Sequence, residues 1–249
     1  MSFPNVIFGS DGDQFVVDSD PAADQGSPAV GQQLILDDGR KFRFSSAGAV
    51  ALLTSNLMQA PIPVPNHVLQ TAAAAAVGAN TVALTLGATA ATANQYKNGL
   101  LVVDLVANTG FGYTYGIKDH AAVASSGVFT VPLKATVQVA ISTAANSVSL
   151  IQHRNNNVII TIATTPTAEL AGITVKPIPI GDFGWIQTRG PCTCLTTGTI
   201  VIGQHVFAST TAGAVIAGAA FSVQPTIGIV VRVATSTDHS TINITGIDG

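Results

Sequence analysis

From Thr81 onward the apolar residues take every second position. Val82, Leu84 and Leu86 alternate with Thr81, Ala83 and Thr85, the period that a strand with one buried face requires. The same rhythm returns in Phe111, Tyr113, Tyr115 and Ile117, in Val137, Val139 and Ile141, and more briefly over 148–151 and 158–162. A helix cannot use this spacing, because side chains two residues apart leave its surface on nearly opposite sides. The helical alternative also lacks material. Glu occurs once in the 249 residues, at Glu169, and charged residues make up only 9% of the chain, so the side chains that usually coat exposed helices are nearly absent. Val, Ile, Thr and Gly predominate instead, and the chain is expected to be all-β, with antiparallel sandwich or barrel-like units and few short helices.

Three consecutive segments are expected: an acidic N-terminal arm with a β-hairpin over 1–60, a first β domain over 61–165 and a second over 166–249. Asp11, Asp13, Asp18, Asp20 and Asp24 all precede the first basic residue, Arg40. With Pro21, Gly26, Pro28 and Gly31 among them, they predict an extended or partly disordered arm that docks on a neighbouring subunit. Asp11-Gly12-Asp13 resembles the start of a calcium loop but lacks the closing Glu. Asp37-Asp38-Gly39-Arg40 reads as the turn of a hairpin running from Leu34 to Phe44. Residues 49–57 suit a strand or a short helix. The prolines of 61–65 mark an extended boundary, and the alanines of 72–76 are the best helix candidate. Residues 100–106 read as a strand buried on both faces, 153–157 as a polar hairpin loop, and 164–167 as a linker.

The segment from Gly181 to Pro191 contains the only tryptophan, Trp185. Phe183 and Trp185 lie two apart and share one face of a strand, with Gly184 and Ile186 on the other. Trp185 is either an exposed ligand platform or the plug of a β core. Spacing and the absence of a catalytic cluster favour the plug, so Phe183 and Trp185 are taken as structural core. The two cysteines, Cys192 and Cys194, follow as a lone C-x-C and read as small buried residues in a protein made in a reducing cytosol. The charge-free stretch over 208–231 is expected to pack in a core or an intersubunit seam.

No P-loop, dinucleotide fingerprint, nucleophile elbow or H-E-x-x-H is present. The five histidines are scattered singly, and a glycosidase pair would have to come from aspartates such as Asp104, Asp119 and Asp182, whose spacing singles out none of them. No catalytic, metal or cofactor site is expected, and the chain does not read as an enzyme. Dispersed basic residues argue against nucleic-acid binding, and no apolar run reaches the length of a membrane helix. The N-terminus has no signal-peptide pattern. With so few charges to cover its surface, the chain is expected to assemble with neighbours.

Several stretches together resemble the capsid decoration, or cement-like, proteins of tailed bacteriophages. They are Asp38-Gly39-Arg40-Lys41-Phe42-Arg43; the run from Leu86 to Tyr96 with Gly112-Tyr113-Thr114-Tyr115-Gly116-Ile117; Gly184-Trp185-Ile186-Gln187-Thr188-Arg189-Gly190-Pro191; and Thr211-Ala212-Gly213-Ala214-Val215 with Gln224-Pro225. The resemblance implies a β-rich virion structural protein, made in the bacterial cytoplasm and bound to the outer capsid surface. Its implied partners are the major capsid protein and other copies of itself, as a homotrimer that bridges capsomers. It carries over no catalytic residue. The same modules also suit a head fibre or a tail-associated adhesin that contacts the host, for which Trp185, Phe183, Tyr113 and Tyr115 would be the aromatic candidates.

Overall fold

The computed structural model describes residues 6–19, 27–104, 110–163, 166–218, 226–234 and 238–247, with 144–147 described by backbone alone. The first strands are β1 (Val6–Gly9), β2 (Val17–Asp18), β3 (Gln33–Leu36), β4 (Lys41–Ser46) and β5 (Leu57–Gln59). There follow β6 (Gln70–Ala72), β7 (Thr81–Thr85), β8 (Leu100–Val103), β9 (Thr114–Gly116), β10 (Val128–Pro132) and β11 (Ala144–Ile151). The chain then forms β12 (Ile159–Ile160), β13 (Leu170–Thr174), β14 (Phe183–Thr197), β15 (His205–Ala208), β16 (Val215–Ala217), β17 (Gly228–Arg232) and β18 (His239–Ile244). Two short 3-10 turns, Asp13–Phe15 and Pro65–His67, are the only helical segments among the described residues. The protein is all-β.

The strands fall into two compact units. One joins residues 1–61 to 154–249 and the other is 62–153. Three consecutive segments are expected from the sequence; this division joins the N-terminal residues to 154–249, with breaks at 61/62 and 153/154. The reason is long-range pairing. β14 takes β4 as an antiparallel neighbour from Phe183↔Ser46 to Arg189↔Lys41, and β2 at Phe183↔Asp18 and Gly184↔Val17. Residues 153–157 are accordingly not a hairpin loop. β11 pairs with β6 and β8, whereas β12 pairs with β5 in the other unit. The asparagines instead dock on the end of β4: Ser46 N donates to Asn155 O (2.9 Å), Asn155 Nδ2 to Ser45 Oγ (2.8 Å) and Ser46 Oγ to Asn156 Oδ1 (2.9 Å).

β14 organises the larger unit. Its first half is buried on both faces, with Trp185 packed among Leu34, Leu36, Phe42 and Phe44, and Ile186 among Leu52, Met58, Val158 and Ile178. At Arg189-Gly190-Pro191 the strand changes partners, with a register shift and Gly190 at φ 90°, a conformation glycine adopts without a Cβ penalty. Its second half then pairs with β18 and runs parallel to β16, while β16 pairs with β15, β15 with β17 and β17 with β18. These pairings close a five-stranded barrel. Cys192, Cys194, Val206, Val215, Ile242 and Ile244 share its buried core, each apolar side chain contributing about 1.5–3 kcal/mol.

The smaller unit is a curled sheet of order β10-β7-β6-β11-β8-β9. Val82, Leu84 and Leu86 face its core as the alternation requires. In β8, however, Leu101 and Val103 point inward while Leu100 is exposed, so this strand is buried on one face only. Of the aromatic series only Tyr115 and Ile117 are buried; Phe111 and Tyr113 are exposed. The alanine run is not a helix: Ala72 ends β6 and Ala75 bridges Ile141. Five alanines are too short to nucleate a helix, and the strand ladder takes their backbone groups instead.

Candidate interaction surface

Among the described residues no group of three His, Cys, Asp or Glu is placed to hold a metal ion. Nor, among those residues, is any helix long and apolar enough to cross a membrane. The structure departs furthest from the sequence reading in the acidic arm.

β1 runs parallel to β3 in the register Val6↔Gln33 to Gly9↔Leu36, and Ile7 packs against the Trp185 cluster. The described part of the arm is thus ordered sheet, because its alternate apolar residues have a face to cover. Asp11 and Asp13 sit in the tight turn that follows. Asp13 Oδ2 accepts Ser10 N at 2.8 Å, while Asp11 Oδ1 accepts Arg40 Nη2 at 2.6 Å and Gln14 Nε2 at 2.8 Å. Gln14 is buried and its Oε1 takes Gly12 N at 2.8 Å. The Arg40 guanidinium, and after it the Gln14 amide, hold the Asp11 carboxyl below the usual range. Asp38 is lowered as well, first by the Arg40 backbone N–H and then by its side chain. Asp18 lies in β2 and its Oδ2 accepts Ser27 Oγ at 2.7 Å. Asp20 and Asp24 lie outside the described residues.

Asp11, Asp13 and Asp18 thus each accept a hydrogen bond from within the chain. What the same segment leaves open is apolar. Phe8 is 80% exposed on β1, and Phe15 and Val16 are exposed in the turn after it. β1 is a terminal strand of its sheet, with no strand on its outer side among the described residues. An edge of this kind presents unpaired backbone donors and acceptors.

Trp185 is not an exposed platform. It is 5% exposed, in edge contact with Phe44 at a ring-centroid distance of 5.1 Å, and Phe183 is half-buried and stacked on Phe44 at 6.1 Å. Gln187 explains its own place in the segment. Its buried Nε2 donates to Arg189 O (3.0 Å) and Pro191 O (2.9 Å), the carbonyls released where β14 changes partners. The thiols of Cys192 and Cys194 are free and buried, and burial pushes Cys192 up to about 12 and raises Cys194 as well. They are inert packing groups and not nucleophiles.

Sequence reasoning also passed over a buried aromatic group in the smaller unit: His67, Tyr96, His120 and Phe129. Its members are far apart in the chain and each was read singly, so no local signal joined them. A scan against protein-family models and searches of curated proteins and of solved structures each return no match to this chain.

Proposed function

We propose that this chain is a virion structural protein that binds the outer surface of a phage capsid and bridges capsomers, acting through surfaces and not through a catalytic pocket. The residues resembling the decoration proteins motivate the reading. The observation that carries it is the edge of β1, which has no outer neighbour among the described residues and where Phe8 stands 80% exposed on a charge-poor chain. Phe8, Phe15 and Val16 are the apolar contacts by which such an edge is covered, and self-association as a trimer multiplies modest contacts into firm attachment.

Purified protein mixed with expanded heads is expected to attach in many copies spread over the shell. Phe8→Ser, folded by circular dichroism and with unchanged Trp185 emission, is expected to lose most of that occupancy. Attachment of a few copies at one vertex or on the tail would instead support an adhesin, and wild-type occupancy by the Phe8→Ser protein would rule out the β1 edge.

A further inference from the structure

Among the described residues, the two ends of the smaller unit's curled sheet meet at one isolated bridge. β9 and β10, the two ends of its strand order, are joined by the bridge Ile117↔Leu133, where Lys118 N donates to Pro132 O (2.8 Å) and Lys134 N to Gly116 O (2.7 Å). The turn over 92–99 buttresses the same point, since Asn98 N donates to Ile117 O and Ile117 N to Gly99 O, both at 3.0 Å. His120 fastens that turn. Asn94 N donates to His120 O (3.0 Å), His120 N to Asn94 Oδ1 (2.9 Å) and Tyr96 N to His120 Nε2 (3.0 Å).

Only the last of these bonds runs through the imidazole ring, and it fixes the ring's protonation. Nε2 accepts a backbone N–H, so it carries no proton. Nδ1 lies 2.8 Å from Ala121 O and is the donor. The ring is enclosed by Phe129 of β10 at 4.7 Å and by Tyr96 at 6.2 Å between centroids. Tyr96 donates its hydroxyl proton to His67 Nδ1, and His67 Nε2 donates to Thr89 O at 2.8 Å. His67 is fully buried, and its hydrogen bonds, like those of His120, select one ring tautomer.

We propose that His120 is an acid-sensitive latch on the seam between β9 and β10. Neutral, it holds the Tyr96 backbone and keeps the 92–99 turn against Ile117. Protonated, its Nε2–H opposes the Tyr96 N–H and the turn is released. The surrounding titratable groups reinforce this sense. Burial raises the Tyr96 phenol and keeps it neutral, His67 lies beyond Tyr96, Lys97 and Asp119 pair with each other at the surface, β10 presents the apolar Phe129, and the exposed Lys118 and Lys134 have the same sign as a protonated ring. The latched form binds one proton fewer than the released form, so release grows as pH falls, by up to about tenfold per pH unit for one linked proton.

Hydrogen exchange of the full chain at about pH 7.5 and about pH 5, corrected for the chemical exchange rate, tests the latch. Peptides covering 92–99 and 117–134 are expected to lose at least tenfold in protection at the lower pH, while peptides from the five-stranded barrel keep theirs. His120→Gln places an amide oxygen near the Nε2 position with nothing to titrate, and is expected to retain protection at both pH values. Unchanged protection in the wild type, or an equal loss in His120→Gln, would overturn the proposal. If that variant does not fold, the wild-type histidine signals in NMR decide: titration of the His120 ring while the 92–99 amides stay protected would equally overturn it.

Discussion

The two units are built from the same charge-poor, Val- and Thr-rich chain, yet they close in different ways. In the larger unit the barrel closes through a continuous ladder between β14 and β18, from Gly190↔Ile244 to Leu195↔His239. In the smaller unit the sheet ends meet at the single bridge Ile117↔Leu133. A ladder leaves no edge to open, whereas one bridge depends on the turn that supports it. The buried titratable groups differ in parallel. The barrel encloses two thiols, while the curled sheet encloses two imidazoles and the Tyr96 phenol. A unit closed by one bridge has fewer backbone bonds to break at its seam than one closed by a ladder.

The largest effect is expected from removing residues 1–39. This takes away β1, β2 and β3 with Leu34 and Leu36, and it uncovers Trp185; the larger unit should lose cooperative unfolding and its Trp emission should shift to the red. Retention of blue-shifted emission would show that the arm is dispensable to that unit. Next is Trp185→Ala, expected to cost about 3–5 kcal/mol in denaturant unfolding, with exchange protection in 62–153 unchanged. Gln187→Leu leaves the Arg189 and Pro191 carbonyls without their donor and should cost about 2 kcal/mol, again in the larger unit only.

An effect of comparable size separates the units at alkaline pH. Burial raises Cys192 to about 12, and raises Cys194 and Tyr96 in the same direction. Each group contributes stability that is fully present below its unfolded value, near 9 for a thiol and 10 for the phenol, and that is lost as pH rises towards its folded value. Each thiol removes up to about 1.4 kcal/mol per pH unit above its unfolded value. Chemical unfolding at pH 8 and about pH 10 should therefore show a smaller loss in the larger unit of a Cys192→Ala, Cys194→Ala protein than in the wild type. The least effect is expected from Lys97→Ala: its ion pair with Asp119 is solvent-exposed, and stability should change by less than about 0.5 kcal/mol.

What was legible in the sequence was local. Alternation at Val82, Leu84 and Leu86 gave a strand, and Asp38-Gly39 gave a hairpin with Gly39 at φ 85°. Trp185 at strand spacing gave a core position. What was not legible was long-range pairing. The acidic residues looked like a solvated arm because Ile7 has no visible partner until β3 lies beside it. The polar run over 153–157 looked like a turn because its bonds are to Ser45 and Ser46, more than a hundred residues earlier. The same limit hid Gln187, which serves carbonyls exposed only by the change of partners in β14. It also hid His120, whose ring nitrogen is assigned by a backbone N–H from residue 96.

The passage of β14 through both the open sheet and the barrel has a consequence for synthesis. Its partners are β2 and β4 on the N-terminal side and β18 downstream, so the larger unit cannot complete itself until β18 has left the ribosome. Residues 62–153 have all their sheet neighbours within reach much earlier. The smaller unit can fold while the β3–β4 hairpin still waits, its Phe42 and Phe44 uncovered, for a strand well over a hundred residues downstream. The interval between translation of residue 46 and residue 183 is therefore when this chain is most vulnerable to aggregation.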